Sequence, residues 1–338
     1  MTTTTPSAAT MAVIAQRGYG SADVLGIERM PVPTPGPEQV LVRVFAASPD
    51  SGTVHIMKGD PLALRPVFGM QAPRQPIIGL SFAGVIEVVG EGVSDFARGD
   101  RVAGTAFAAF ADFVVASPAK MARIPDGVSM TDAATLPVSA ATALQAVRDS
   151  ARVQSGQRVL VIGAGGGVGS FMIQLAVAAG ARVTGLVSAA KAEFVRSLGA
   201  DRVIDYRALP EPADWGRFDV IIDAADGRPL HVLRRALDER GTLVIVGADN
   251  AGGPFLRGAD RQLRALMLDP WVRHRLAAVM QRENGADIAV LLEKLASGDL
   301  RAPIDEIASL DGAIALIDRL AHQRVSGKAV IEFAREGA

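Results

Sequence analysis

The chain has 338 residues, of which 49% are hydrophobic, and its 35 Lys and Arg nearly balance its 36 Asp and Glu. This length allows two domains, and the small net charge of -1 gives no reason to expect a nucleic acid or an anionic membrane as a partner. The absence of cysteine excludes disulfides and cysteine-ligated metal sites and is typical of a reducing compartment. We therefore expect a cytoplasmic protein.

The first part of the chain has the sequence pattern of a β-rich domain. Residues 1–10, MTTTTPSAAT, have no signal-peptide character and are expected to form a disordered tail. Residues 11–135 contain short apolar segments separated by Gly, Pro and Asp turns, namely QVLVRVFAAS, SFAGVIEVVG, DRVAG, ADFVVAS and MARIP. This pattern predicts an all-β first domain.

Residues 136–268 alternate between buried-type strands and helical segments. The strands are RVLVIG, ARVTGLV, DRVID, FDVIID and GTLVIVG, and the helices are Val168–Ala179, Ala189–Leu198 and Leu230–Leu237. Strict alternation predicts an α/β fold with a doubly wound parallel sheet. Residues 269–338 have a helical pattern and end in GKAVIEF, a strand expected to return to the first domain and leave a cleft between the two.

The uncharged run from Val159 to Ala181 also fits the length of a membrane helix. However, five of the seven residues from Gly163 to Gly169 are glycine, which is costly in a continuous helix. A strand, a glycine turn and a helix explain the same residues with less strain. The strand that follows at βαβ spacing favours this interpretation.

The glycine turn predicts a dinucleotide site. Glycines between a strand and a helix let the backbone approach a diphosphate, which lies at the positive end of the helix. Ala164, Gly166 and Gly169 have the GxGxxG register with alanine first. The residues expected at the diphosphate are Gly163, Gly165, Gly166, Gly167, Val168 and Gly169.

The second strand of this unit bears on the choice of coenzyme. NAD enzymes usually place an acid about 20 residues after the glycines, at the ribose hydroxyls. No acid occurs between Ser170 and Ala192, and the strand is followed instead by Ser188 and Lys191. A hydroxyl and a cation without a carboxylate favour the 2′-phosphate of NADPH. The alternative for Lys191 is an ordinary exposed helix lysine.

These motifs carry a family resemblance. GAGGGVGSFMIQLAVAAGARVTG, SLGADRVIDY, DAATLPVSAATALQAV and GVSDFARGDRVAG resemble the medium-chain dehydrogenase/reductase superfamily, and within it the zinc-free, zeta-crystallin-like quinone oxidoreductases and enoyl reductases. The resemblance runs from YGSADVL to SGKAVIEF. It implies a GroES-like first domain, a Rossmann second domain, NADPH, and a homodimer joined through the Rossmann sheets.

The resemblance also assigns roles to individual residues. It implies that Ser188, Lys191 and Tyr206 surround the adenosine phosphate, with the adjacent Arg207 as a further candidate, and that Thr142 and Gly247 line the nicotinamide. Each has a structural alternative, since Thr142 can pack within its helix, Tyr206 can end a strand and Gly247 can form a turn.

The chain departs from the zinc-dependent members of the superfamily. Those enzymes bind the metal through cysteine and a His-Glu pair after a glycine, whereas this chain has no cysteine and reads PIIGLSFAG at the corresponding place. The four histidines, His55, His231, His274 and His322, have no ligand spacing. We therefore expect no metal.

Hydride transfer to a C=C conjugated with a carbonyl needs no metal, only donors for the enolate and a proton. Relatives often have a tyrosine within the stretch that reads SPDSGTVHIMKGD here, where His55 is the candidate donor and Asp50 and Ser48 are expected to line the pocket. The alternatives are that His55 is a surface or packing residue and that solvent supplies the proton.

Two segments rich in Met, Leu, Phe, Trp and Arg, PLALRPVFGMQAPRQP and RQLRALMLDPWVRHRLAAVM, suggest an apolar cleft wall, although an ordinary amphipathic helix has the same composition. The sequence thus predicts an NADPH-dependent reductase of an enone, an enoyl compound or a quinone. A noncatalytic NADPH-binding protein and a carbonyl or alcohol oxidoreductase remain open alternatives.

Overall fold

The computed structural model describes residues 9–225, 227–247, 255–256 and 259–333. Most of the expected N-terminal tail, residues 1–8, lies outside the described residues. Thr10, the last residue of that expected tail, already begins the first strand.

The first lobe is built from antiparallel strands. They are β1 (Thr10–Gln16), β2 (Leu25–Pro31), β3 (Val40–Ser48), β4 (Ser81–Val89), β5 (Arg101–Thr105), β6 (Phe113–Ala116) and β7 (Met121–Arg123). β1 and β2 form a hairpin that the sequence pattern did not predict, and β3 lies between β4 and β6 in the main sheet. All five segments that the sequence predicts as strands in this region are strands.

The second lobe contains a six-stranded parallel sheet in the order β10-β9-β8-β11-β12-β13. Its strands are β8 (Arg158–Ile162), β9 (Arg182–Val187), β10 (Arg202–Asp205), β11 (Phe218–Asp223), β12 (Leu237–Ile245) and β13 (Arg275–Ala278). The order reverses beside β8, where doubly wound folds bind ligands. Because β13 pairs with β12, the sheet extends past the boundary at Leu268 that the sequence predicts.

The C-terminal part returns to the first lobe. β14 (Ile304–Ser309) pairs in parallel with β15 (Lys328–Glu332), and β15 pairs antiparallel with β3. The segment GKAVIEF therefore completes the first sheet, as its sequence predicts. The region after Leu268 is not wholly helical, since it also contributes β13 and β14.

The helices lie around both sheets. They are α1 (Ser51–Lys58), α2 (Arg65–Phe68), α3 (Met130–Ala134), α4 (Ala141–Leu144), α5 (Gly167–Ala178), α6 (Ala192–Ser197), α7 (Leu230–Leu233), α8 (Ala259–Leu268), α9 (Gly285–Ala296) and α10 (Ala313–Ala321). The predicted helix Leu230–Leu237 is shorter than expected. A 3₁₀ turn follows α7 at Arg234–Ala236, and Leu237 already begins β12, where its side chain is buried.

A single hydrophobic core connects the two lobes. It includes Ala46 and Ala83 of the first sheet, Val159 of the second, and the helical stretch between them. That stretch contains π-helical turns at Leu136–Ala140 and Gln145–Ala151 on either side of α4. Close-packed interiors deform little, so the shared core fixes the cleft between the lobes.

The uncharged run from Val159 to Ala181 forms β8, the glycine turn and α5. Among the described residues, no helix is long and apolar enough to cross a membrane.

Candidate functional site

The glycine turn after β8 requires glycine for steric reasons. Gly163 has φ 79°, and a Cβ there would lie 2.7 Å from the Cβ of Ala225. A Cβ on Gly169 would lie 2.1 Å from the carbonyl oxygen of Gly163, well inside contact distance. These two glycines therefore let β8 turn directly into α5.

The N-terminus of α5 is open to an anion. Its cap is Gly166, which has no side chain to accept from the first-turn N–H groups, and Gly167, Val168 and Gly169 form that turn. Among the described residues, a Cβ on Gly166 would meet the Gly163 carbonyl oxygen alone, at 3.5 Å. Uncapped N–H groups and the helix dipole attract negative charge, so this turn fits a dinucleotide diphosphate.

The candidate adenosine residues lie on neighbouring strands. Val187 of β9 pairs with Asp205 of β10, which places Ser188 and Tyr206 side by side where the two strands end. The Arg207 guanidinium lies 5.5 Å from the centre of the Tyr206 ring. Ser188, Tyr206 and Arg207, which the family resemblance implies as candidates for the adenosine phosphate, are therefore neighbours in the structure.

Lys191 lies in the turn after Ser188 and packs on the glycine loop. Its Cδ is 2.9 Å from the position that a Cβ of Gly165 would take. Its ammonium donates to the carbonyl oxygens of Val325, at 2.5 Å, and Gln323, at 3.4 Å. Burial lowers the pKa of Lys191, and the nearby Asp305 opposes that shift. The Lys191 ammonium is therefore held by backbone carbonyl oxygens of the loop before β15.

The two residues assigned to the nicotinamide differ in their surroundings. The buried Thr142 hydroxyl donates to the carbonyl oxygen of Val138, one helical turn earlier, at 2.7 Å. This bond is the packing arrangement that was the structural alternative for Thr142. Gly247 follows β12, and a Cβ there would have no atom of the described residues within 4 Å.

The cleft side of the first lobe carries Asp50. This residue caps α1, with its Oδ1 accepting from the Thr53 N–H at 2.9 Å. Its Oδ2 is buried and has no hydrogen-bond partner within the described part of the chain. Ser48, expected in the same pocket, instead donates its hydroxyl to the Ala329 carbonyl oxygen at 2.7 Å, which ties β3 to β15. His55 is half-buried on α1.

An apolar surface lies where the first lobe meets the second. The Ala63 N–H donates to the Phe255 carbonyl oxygen across the two lobes, at 3.1 Å. Val67, Met70 and Phe107 of the first lobe and Phe255 of the second are all largely exposed. The first of the two apolar segments in the sequence therefore contacts the second lobe at Ala63 and exposes Val67 and Met70.

The second apolar segment does not fit a simple amphipathic helix. On α8 the cationic Arg261 is buried, whereas Leu263, Leu266 and Met267 are exposed, and Trp271 just beyond the helix is 85% exposed. This surface borders β13, the edge strand of the parallel sheet.

A buried ion pair that no sequence motif indicates lies at the end of β11. The Arg261 guanidinium donates to the Asp223 carboxylate at 2.8 Å, and both side chains are almost fully buried. Asp223 Oδ1 also accepts from the N–H of Ala225, the residue that packs against Gly163. The pair therefore supports the wall behind the glycine turn.

Replacing Arg261 with methionine is expected to destabilise the fold by about 3–5 kcal/mol, because the buried Asp223 carboxylate would lose the Arg261 guanidinium. The matched control is Arg264→Met on the same helix. Arg264 is 70% exposed in its pair with Asp260, so its loss costs at most about 1 kcal/mol. Urea denaturation measures both values, and equal losses for the two variants would contradict a structural role for the buried pair.

No group of three or more His, Cys, Asp or Glu side chains within the described ranges is placed to hold a metal ion. The absence of zinc stays a prediction from the sequence.

Comparison with known proteins identifies the family. Residues 36–126 match the alcohol dehydrogenase GroES-like domain, and residues 167–266 match the domain described as zinc-binding dehydrogenase. The chain is 34% identical over 272 residues to the chloroplast envelope quinone oxidoreductase homolog of Arabidopsis thaliana, covering 75% of this chain and 80% of the relative.

The chain belongs to the medium-chain dehydrogenase/reductase superfamily, in its zeta-crystallin-like branch. The solved quinone oxidoreductase of Coxiella burnetii superimposes with a TM-score of 0.85 at 26% identity, covering 96% of this chain and all of that one. The CurK enoyl reductase, at 24% identity and a TM-score of 0.81, shares the fold. This member of the superfamily thus has the GroES-like and Rossmann architecture that its sequence predicts, and it is an oxidoreductase.

Proposed function

We propose that this oxidoreductase uses NADPH, without zinc, to reduce a C=C conjugated to a carbonyl, or a quinone. Two neighbouring features carry the proposal. The N-terminus of α5 is open, and the adjacent strand ends carry Ser188, Lys191 and Tyr206, with no acid at the end of β9. Quinone oxidoreductases among the relatives support the reaction class. A mycobacterial protein solved with NADPH shares the fold.

We assign each part of the coenzyme to a different group of residues at the site. The Gly166–Gly169 turn would hold the diphosphate. The adenosine phosphate would lie among Ser188, Lys191, Tyr206 and Arg207. The nicotinamide would lie beside Gly247. When bound, the reduced nicotinamide supplies the hydride. The chain itself binds and orients the reactants, excludes water with its apolar wall, and supplies a proton.

The apolar wall favours a hydrophobic substrate. Val67, Met70 and Phe107 on the first lobe are exposed to solvent, and the same lobe contacts Phe255 through Ala63. An apolar enone, enoyl compound or quinone bound there would remove this apolar surface from water. Hydride addition to such a substrate produces an enolate or hydroquinone anion, which needs a proton donor.

His55 is our candidate for that donor. We expect His55→Phe to lower kcat for an enone by about 100-fold, the loss typical for a positioned acid, with the affinity for NADPH unchanged. His55→Tyr keeps an O–H donor and should retain most of the activity. His322→Phe, which changes an exposed histidine on the far end of α10, serves as the control. Full activity of His55→Phe would point to protonation by solvent.

A panel of enones, enoyl thioesters, quinones and aldehydes, followed by NADPH absorbance, tests the function. Turnover of the first three classes with little activity on aldehydes is the expected result. Activity on aldehydes or alcohols alone would favour carbonyl chemistry. Tight NADPH binding without any turnover would favour a noncatalytic role and contradict the proposal.

We also propose that two chains associate along β13 in the cytoplasm. β13 is an edge strand, and the exposed Leu266, Met267, Trp271 and Met280 beside it form an apolar surface of the kind that marks an interface. Sedimentation of the full chain is expected to give a dimer. We propose no nucleic-acid or membrane partner, in keeping with the balanced charge.

A further inference from the structure

A buried lysine lies beneath the glycine loop and has no part in the proposed reaction. Lys328 begins β15, and only 2% of it is exposed. Its ammonium donates to the Pro49 carbonyl oxygen at 3.1 Å and to the Ser139 hydroxyl at 2.9 Å. Burying an ammonium is costly unless it is hydrogen-bonded and paired with an opposite charge.

The side chain of Lys328 reaches the diphosphate turn. Its Cδ lies 3.2 Å from the position that a Cβ on Gly167 would take, and the Ser139 hydroxyl lies 3.4 Å from the same point. Gly167 is the first residue of α5. The adjacent Gly327 donates its N–H to the Gly165 carbonyl oxygen at 3.0 Å, so the start of β15 is bonded directly to the glycine loop.

The first lobe brings a carboxylate to the same place. Asp50 follows Pro49, acts electrostatically on Lys328 and has its buried Oδ2 without a hydrogen-bond partner in the described residues. The other groups that contact Lys328 are uncharged, namely the Pro49 carbonyl, the Ser139 hydroxyl and Gly167. Lys191, the other nearby cation, contacts Gly165 and the loop before β15 instead.

We propose that Lys328 is a positioning residue whose buried ammonium joins the two lobes beneath the glycine loop, shields a bound diphosphate from Asp50, and takes up a proton when that diphosphate binds. The inference rests on the proposed coenzyme binding and adds to it a coupling to pH. The diphosphate is common to NADPH and NADH, so the coupling does not depend on the adenosine phosphate.

The sign of the coupling follows from the charges. Burial lowers the pKa of Lys328 to about 8, with Asp50 opposing the shift, so a part of the free protein has a neutral lysine in mildly alkaline solution. A diphosphate placed nearby favours the charged form and raises that pKa. Binding is therefore strongest below pH 8 and weakens as the pH rises from there through the higher pKa of the complex.

Calorimetric titration of the full chain with NADH, repeated in buffers of different ionisation enthalpy, measures the proton uptake. NADH avoids the adenosine phosphate, which itself titrates near pH 6. We expect uptake of about half a proton or more per coenzyme near pH 8.5 and almost none near pH 6.5, with the dissociation constant rising by up to about tenfold per pH unit in the alkaline range.

Two variants assign the proton to Lys328. Lys328→Met should abolish the alkaline uptake and weaken NADH and NADPH by similar factors at neutral pH. Ser139→Ala removes an acceptor of the ammonium, so it should move the uptake to lower pH even if Lys328→Met does not fold. Lys120→Met, which changes a surface lysine paired with Glu283, is the control and should leave the uptake with NADH unchanged.

The outcomes separate this inference from the proposed function. Coenzyme binding with a flat pH dependence, or with uptake that persists in Lys328→Met, would overturn the role of Lys328 alone. Binding of NADH but not NADPH would overturn the coenzyme assignment and leave the coupling intact. Failure of both coenzymes to bind would overturn the proposed function and this inference with it.

Discussion

Gly166→Val is expected to leave the protein folded while weakening both NADPH and NADH by at least about 100-fold, roughly 2.7 kcal/mol of binding free energy. Gly166 has φ -95°, which any residue adopts, and among the described residues its Cβ would contact only the Gly163 carbonyl oxygen at 3.5 Å. The new side chain would instead occupy the space in front of the α5 N–H groups, where a diphosphate binds. Fluorescence titration gives the affinities.

Thermal unfolding of the same variant separates binding from stability. Because valine is a poor helix cap, we expect a loss of about 1 kcal/mol, which corresponds to only a few degrees in the melting temperature. Gly169→Ala is the contrasting variant, since its Cβ would lie 2.1 Å from the Gly163 carbonyl oxygen and must displace backbone. Normal coenzyme affinity in a folded Gly166→Val protein would show that the diphosphate does not use this turn.

Ser188→Asp is expected to reverse the coenzyme preference. The new carboxylate would repel the 2′-phosphate, and charges about 4 Å apart interact with about 1 to 4 kcal/mol between water and a protein surface, so NADPH should weaken by about 100-fold. NADH should bind as well as before or better, because a carboxylate at the end of this strand accepts from the ribose hydroxyls. Calorimetry with both coenzymes measures the ratio.

Neutral variants isolate the contribution of charge. Ser188→Ala removes the hydroxyl without adding repulsion, so it should weaken NADPH by only a few-fold, about the value of one neutral hydrogen bond. Lys191→Ala removes the cation and should weaken NADPH by about 10- to 100-fold with little effect on NADH. A uniform effect of Ser188→Asp on both coenzymes would indicate a disturbed loop rather than phosphate recognition.

The parts of the site that the sequence predicts are those set by local chain geometry. The glycine turn, α5 and the missing acid after β9 all lie within one continuous βαβ unit, where spacing along the chain fixes spacing in space. The neighbouring positions of Ser188 and Tyr206 follow because parallel strands end at the same edge of the sheet.

The rest depends on contacts between residues that are distant in sequence. Lys328 and its partner Pro49 are 279 residues apart in the sequence, and Arg261 and Asp223 are 38 apart. Local sequence patterns therefore do not predict either contact. β13 was not predicted because its four residues, RLAA, follow a helical pattern rich in arginine. Its strand conformation comes from pairing with β12. Thr142 fits the family position by sequence, yet its hydroxyl bonds to its own helix.

The most direct test of the proposed coenzyme site is a calorimetric titration of the unmodified chain with NADPH and NADH under identical conditions. We predict that NADPH binds at least about tenfold more tightly, a difference of about 1.4 kcal/mol that one charge-assisted contact with the 2′-phosphate can supply. Equal affinity for the two coenzymes, or binding of neither, would contradict the assignment of Ser188, Lys191 and Tyr206 to that phosphate.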